Sequence, residues 1–182
     1  MLILALVLIL LGFGFKASLA PMHFWVPDAY EGAPTPITAF LSVAPKLATF
    51  AALTRVFGAI FPLSAYDLSA LFAVIAILTM TVGNFTAMFQ TDVKRLLAYS
   101  SIAQAGYLLI GLAVGTPLGR EGVLLYSFVY VAMNIGAFAV AQAVGSARGS
   151  YDLSAFDGLS KHRMGLALSM VFCLLSLGGI PP

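Results

Sequence analysis

The chain has 182 residues (19.1 kDa), of which 61% are apolar and only 9% charged, with a mean hydropathy of +1.02 and a formal net charge of +2. Soluble domains carry about 25% charged residues, so the charges here are too few to cover a water-facing surface. A soluble enzyme, a disordered tail and a nucleic-acid binder with a basic patch are excluded, and an integral membrane protein remains. The one cysteine, Cys173, lies in an apolar run and can build neither an internal disulfide nor a thiolate metal cluster.

A spanning helix needs about 20 predominantly apolar residues. Residues 68–91, 96–119, 122–147 and 164–182 contain no Asp, Glu, Lys or Arg, and windows 1–27 and 32–54 contain one lysine each, Lys16 and Lys46. The windows predict a single transmembrane domain over 1–182 with six helices, at about 1–24, 36–57, 68–90, 96–115, 122–145 and 164–182. The runs are too long for membrane β-strands and show no dyad alternation. The apolar start has no basic residue ahead of it, and Pro21 would follow a cut after Ala17-Ser18-Leu19-Ala20, so it reads as a spanning helix rather than a signal peptide. Connecting segments are expected near 28–35, 55–67, 91–96, 115–121 and 146–163. The first, third and fifth hold Lys94, Arg95, Arg148, Lys161 and Arg163, against Arg55 and Arg120 in the others, which puts the first set on the cytoplasmic side.

Polar residues inside the windows are spaced rather than scattered. Thr38, Ser42, Lys46 and Thr49 fall within about 80° of arc on the second helix. Tyr99, Ser100, Gln104 and Tyr107 make a broader stripe on the fourth helix, and Tyr126, Ser127, Tyr130 and Asn134 make one on the fifth. Any one stripe is accounted for by interhelical hydrogen bonds worth about 0.6 kcal/mol each. Three such helices, one with a lysine, point to a hydrated interior.

Intramembrane charges cost about 2.5–3.5 kcal/mol on insertion scales and mark ion or proton pathways. Lys46 lies about ten residues past Pro36, near mid-depth at about 1.5 Å per residue. Lys16 has apolar residues on both sides; snorkelling to an interface is the alternative for it. In general an ammonium withdrawn from water gives up its proton more readily, which suits a buried lysine to a proton relay. Helix breakers stand beside both: Gly12, Gly14 and Pro21 around Lys16, and Pro45 before Lys46. Gly178-Gly179-Ile180-Pro181-Pro182 forms another breaker cluster, as in transporters with two interrupted helices.

Segment 23–36 is dense in aromatics, prolines and acids. Trp25 and Tyr30 suit an interfacial belt, and Asp28 and Glu31 are candidate helix N-caps. His23 is either a pH-sensitive entry group or an interfacial hydrogen-bonding residue. Lys94 and Arg95, at a span boundary, read as topology determinants. No Gly-rich phosphate loop follows a strand and no Cys or His cluster has metal spacing, so no redox cofactor is expected in this chain.

Phe15-Lys16, Pro21-Met22-His23-Phe24-Trp25-Val26-Pro27-Asp28 and Tyr30-Glu31-Gly32-Ala33-Pro34-Thr35-Pro36 closely resemble the antiporter-like membrane subunits of respiratory complex I. So do the run from Gln90 to Ile102 and the run from Ser176 to Pro182. The resemblance covers the whole chain, with long motifs in the right order. Larger members and the related sodium/proton antiporters typically carry a histidine where this chain has Ser42, and here the ionisable residue comes one turn later as Lys46, a pattern similar to the smallest antiporter-like member. Gln104 stands where some relatives have a histidine.

The resemblance implies an all-α integral membrane bundle, an inverted-repeat fold of which about six transmembrane helices are present. It implies that Lys16 matches the lysine of the first broken helix and Lys46 that of the next helix, both relaying protons. Thr38, Ser42, Tyr99, Gln104, Tyr107 and Asn134 are the candidate secondary polar path. The family's acidic partner for Lys16 lies on an earlier helix, and the lysine of its second broken helix would follow Pro182, so the resemblance implies a middle piece truncated at both ends. NADH, FMN, iron–sulfur clusters and quinone are expected in partner subunits. The implied partners are other membrane subunits of the complex, the lipid bilayer and protons, with no nucleic acid. The implied location is multi-pass, in a bacterial plasma membrane or an organellar inner or thylakoid membrane. The expected function is proton translocation in an NADH:quinone oxidoreductase. The alternatives are a subunit of a multisubunit sodium/proton antiporter or membrane-bound hydrogenase of the same fold, or a purely structural bundle.

Overall fold

The leucine-rich start of the chain forms α1 (Leu2–Ala17) in a computed structural model that describes residues 2–59 and 68–180. The helix runs through Gly12 and Gly14 without stopping. It ends where Ser18 turns left-handed, at φ 65°, with Ser18 N–H donating to Phe15 O at 3.2 Å and Leu19 N–H to Gly14 O at 2.8 Å. This bond pair is a Schellman stop, here with serine in the position that glycine usually takes.

After the break comes α2 (Trp25–Gly32). The expected connecting segment at 28–35 is therefore corrected: most of it is helix. Val26, Pro27 and Tyr30 bury one face, a helical pattern that the interspersed acids and prolines obscure. Nor are Asp28 and Glu31 N-caps. Asp28 lies within the first turn of α2 and Glu31 at its far end, and both carboxylates pair with Arg95.

Four longer helices follow or flank the remaining turns. They are α3 (Thr35–Ala59), α4 (Leu68–Ala87), α5 (Val93–Ala113) and α6 (Pro117–Arg148). All four are long and apolar enough to cross a membrane. The cap of α5 is Asp92, whose carboxylate accepts from Arg95 N–H, and the cap of α6 is Thr116, which accepts from Gly119 N–H. Gly149, at φ 71°, closes α6. A 3-10 turn (Leu153–Phe156) and α7 (Leu159–His162) lead into α8 (Met164–Leu177).

Helix α8 stops as α1 does: Gly179 is left-handed at φ 83°, Gly179 N–H donates to Ser176 O and Ile180 N–H to Leu175 O, each at 3.0 Å. The prolines expected to complete this breaker, Pro181 and Pro182, and the second connecting segment from residue 60 to 67 lie outside the described residues. The helix bounds differ from the expected spans mainly at α1, α6 and α8. α1 ends at Ala17 rather than near 24, and α8 at Leu177. α6 starts five residues before the expected 122 and runs 32 residues, about 48 Å against a hydrocarbon core of about 30 Å.

α5 lies at the centre and packs against α2, α3, α4 and α6. Its approach to α4 depends on glycines. A Cβ on Gly83 would lie 2.6 Å from Ala103 N, and one on Gly106 2.6 Å from Met80 Cγ. Without water to drive helices together, such small residues let dispersion contacts do so. One apolar cluster joins Phe50, Leu53, Phe72 and Leu109; another joins Val26, Tyr30, Leu97, Ile102 and Phe138. The junction of α2 and α3, the start of α5 and residues 150–153 meet at one end of the bundle. There Val93 N–H donates to Tyr151 O at 2.9 Å and Leu153 N–H to Thr91 O at 2.8 Å, and the Thr35 hydroxyl donates to Tyr151 Oη at 2.9 Å.

Candidate functional site

The site begins with a proline. Pro45 lies inside α3 and has no N–H for the carbonyl four residues earlier. That carbonyl, Leu41 O, instead accepts from Tyr30 Oη at 3.3 Å. Its neighbour Ser42 O accepts from Tyr130 Oη at 3.1 Å. One residue past the proline, Lys46 is 1% exposed. Its ammonium donates to Ser101 O at 2.6 Å and to Ser101 Oγ at 2.8 Å. Both partners are neutral, so among the described residues the charge is held without an ion pair. The Ser101 hydroxyl donates its own hydrogen bond to Ala98 O at 2.9 Å, leaving its lone pairs for the lysine.

Ser42, one turn before Lys46, is fully buried. It donates to Ala39 O at 2.8 Å and accepts from Asn134 Nδ2 at 2.5 Å. The carbonyl oxygen of the Asn134 amide is buried with no partner among the described residues. Further along α5, Gln104 is also buried; its Nε2 donates to Leu177 O at 2.7 Å, and its Oε1 accepts from Tyr126 Oη. Leu177 is the last residue of α8, so Gln104 takes up a carbonyl at the second break. Ser42, Lys46, Ser101, Gln104, Tyr126, Tyr130 and Asn134 thus form a polar seam where α3, α5 and α6 face one another.

The other candidate residues lie elsewhere. Thr38 is buried, but its hydroxyl bonds the carbonyls of Tyr30, Ala33 and Pro34 at 3.0–3.4 Å. That is the role of a cap: Pro34 and Pro36 supply no N–H to the end of α2. Tyr99 is half-buried against apolar side chains. Tyr107 accepts from Asn84 Nδ2 at 3.0 Å, on the contact between α4 and α5. Lys16 is exposed on the outer side of α1, above a groove that it lines with Gly12, Pro45, Ala48 and Thr49. Lys16 is thus exposed beside Pro45 and Thr49 of α3, whereas Lys46, next to Pro45 in sequence, is buried toward Ser101 of α5.

The residues that sequence reasoning left out of the site are Ser101, Tyr130 and Tyr126. Tyr130 and Tyr126 belong to the stripe already visible on the fifth helix. Ser101 precedes Gln104 by one turn, and that spacing is the signal that could have found it.

The break at 18–24 is held by protein, as backbone at membrane depth requires. Ala20 N–H donates to Thr79 Oγ1 at 3.0 Å, and Trp25 Nε1 donates to Phe15 O at 3.1 Å while its ring stacks on Phe15 at 5.4 Å. His23 is buried and stacks on Phe24, with no partner for Nδ1 among the described residues. No three His, Cys, Asp or Glu side chains come together to hold a metal among the described residues.

An interrupted helix beside a buried polar seam with a lysine in it is a construction found in membrane transporters with discontinuous helices. The family described as NADH:quinone oxidoreductase/Mrp antiporter, transmembrane, matches residues 1–182, and the chain belongs to that family. It is 52% identical over 184 residues to NADH-quinone oxidoreductase subunit N of Trichlorobacter lovleyi, covering 100% of this chain and 38% of that protein. It is 52% identical over 180 residues to the subunit of the same name from Heliobacterium modesticaldum, covering 98% and 38%. The chain thus spans 38% of the length of these curated relatives.

Among solved structures, respiratory complex I from Thermus thermophilus contains a chain that is 41% identical, with a TM-score of 0.72, over 95% of this chain and 37% of that one. The archaeal membrane-bound sulfane sulfur reductase gives 30% identity and a TM-score of 0.86, over 93% and 35%. The Mrp complex from Dietzia gives 26% and 0.86, over 93% and 32%. The chain is a multi-pass segment of an antiporter-like membrane protein.

Proposed function

We propose that this segment is the central part of a proton-translocating membrane-arm subunit of an NADH:quinone oxidoreductase, in which Lys46 and Lys16 relay protons. The observation that carries the proposal is Lys46 itself: an ammonium fully inside the bundle, held among the described residues by the carbonyl and hydroxyl of Ser101. A lysine so placed can hold or release a proton without breaking an ion pair. Lys16, which lines a groove with Pro45, the residue before Lys46, is the group from which Lys46 would receive charge. Ser42, Asn134 and Gln104 extend the seam toward the end of α8. Electron transfer to quinone takes place in partner membrane and peripheral subunits, and its free energy changes hydration and pairing along the seam.

The test uses the full-length subunit in its assembled complex in sealed vesicles. Lys16→Ala and Lys46→Ala are introduced separately, assembly is confirmed, and quinone reduction and proton uptake are measured together. Sharply lowered proton uptake in intact complexes is the expected result. Both variants pumping at the normal proton-to-electron ratio would make the lysines structural.

A second reading, a sodium/proton antiporter subunit, is favoured by the TM-score of 0.86 to the Mrp complex. Against it stand the identity, 41% to the complex I chain and 26% to the Mrp chain, and Ser42 where the antiporters typically carry histidine. Proton uptake that follows an imposed sodium gradient rather than quinone reduction would favour that second reading.

A further inference from the structure

Lys94 and Arg95 sit at the start of α5, where exposed basic residues commonly fix topology. Lys94 does not behave as such a residue. It is 4% exposed, and its ammonium donates to Glu31 O at 2.6 Å and Ala33 O at 2.7 Å, with the Tyr151 ring 5.0 Å below. Those carbonyls lie at the end of α2, where the turn through Pro34 and Pro36 removes main-chain donors. The negative end of the α2 dipole adds to the attraction. Beside it, Arg95 Nη1 bridges Asp28 Oδ1 at 2.9 Å and Glu31 Oε2 at 2.5 Å, both on α2. The Asp28 side chain is 78% exposed, so the ion pairs alone hold weakly. The buried ammonium is the stronger tie.

The other end of α2 carries Trp25, whose indole holds Phe15 O, the carbonyl next to Lys16. Two turns along α5 from Lys94, Ser101 holds Lys46. One helix therefore grips α2 with its first turn and Lys46 with its third.

We infer that Lys94 is a positioning residue, with Arg95 its auxiliary: by clamping α2 to α5 it holds Trp25 against the end of α1, and so sets where Lys16 stands relative to Lys46. The inference concerns backbone placement and does not depend on what the lysines carry.

Hydrogen exchange at the break tests it, measured by mass spectrometry on the full-length subunit in its assembled, membrane-embedded complex. Lys94→Met is compared with Lys94→Arg, Trp25→Phe and the double variant Lys94→Met/Trp25→Phe. Lys94→Met is expected to raise exchange at the Leu19, Ala20 and Val26 amides by about tenfold or more, the loss of charge-assisted bonds on one local opening. Exchange through residues 70–84 of α4 stays unchanged. Lys94→Arg, which keeps the charge and the donors, restores most of the protection. If Trp25 transmits the clamp, Trp25→Phe raises exchange at the same amides, and the double variant adds little to either single change. The inference is overturned if exchange at the break stays within threefold of the unmodified protein, or if α4 loosens equally. It is also overturned if Lys94→Arg fails to rescue, or if the double variant is simply additive.

Discussion

At Lys46 two residue-level effects have opposite signs, and that separates them. The ammonium is buried against neutral partners, so replacing it with an apolar side chain of similar shape removes a desolvated charge together with its need for acceptors. Lys46→Met is therefore expected to leave assembly and thermal stability intact while proton uptake falls. Ser101→Ala leaves the charge and takes away one of its two acceptors, at a cost of about 1.5–3 kcal/mol. It is expected to lower the thermal dissociation temperature of the complex, so the smaller substitution does the greater structural harm. Ser18 offers a test of the opposite kind. An L-residue in the left-handed region costs about 1–2 kcal/mol that glycine does not, and Ser18 stands there at φ 65° with its hydroxyl buried and unpartnered among the described residues. Ser18→Gly is expected to raise the dissociation temperature, and Ser18→Val to lower it.

At the scale of elements, α4 and α5 approach through Gly83 and Gly106. A leucine at Gly83 would have to displace the backbone of Ala103, and Gly83→Leu is expected to abolish assembly, scored by recovery of the intact complex from membranes. Gly122, where a Cβ meets nothing within 4 Å, serves as the tolerant control. The helices themselves were legible as charge-free windows, because length and apolarity alone decide whether a segment spans. The breaks were legible only as places where glycine and proline accumulate. Their actual form depends on Ser18, which no propensity marks, and on partners from distant segments: Thr79, which accepts from Ala20 N–H, and Gln104, which donates to Leu177 O. The helix at 25–32 was hidden for a similar reason: its partners, Lys94 and Arg95, are more than sixty residues away in sequence. The seam was legible where spacing on one helix revealed it, as for Ser42 and Lys46. For Thr38 and Tyr107 spacing did not give the carbonyls and the Asn84 amide they meet, since it gives a face but not the neighbour opposite.

For the whole molecule, the unequal burial of the two lysines has a consequence. Lys16 lies on the outer surface among Leu8, Leu11 and Phe15, where lipid would be a poor solvent for its charge. The groove below it is floored by Gly12, Ala48 and Ala52, which permit close helix approach. In the full-length subunit Lys16 is expected to be shielded from modification by a membrane-permeant amine reagent, and to become reactive when the subunit is expressed as residues 1–182 alone. Equal reactivity in both would mean that this face meets lipid in the native protein.

The stacking of Trp25 on Phe15 carries an optical consequence. The indole is the only one in these 182 residues, and it donates to the carbonyl beside Lys16. Tryptophan emission depends on the polarity around the ring and on the hydrogen bond at its nitrogen. With any other tryptophans of the full-length subunit replaced, the colour of Trp25 fluorescence during turnover would report directly on whether the first interruption stays closed or opens to water.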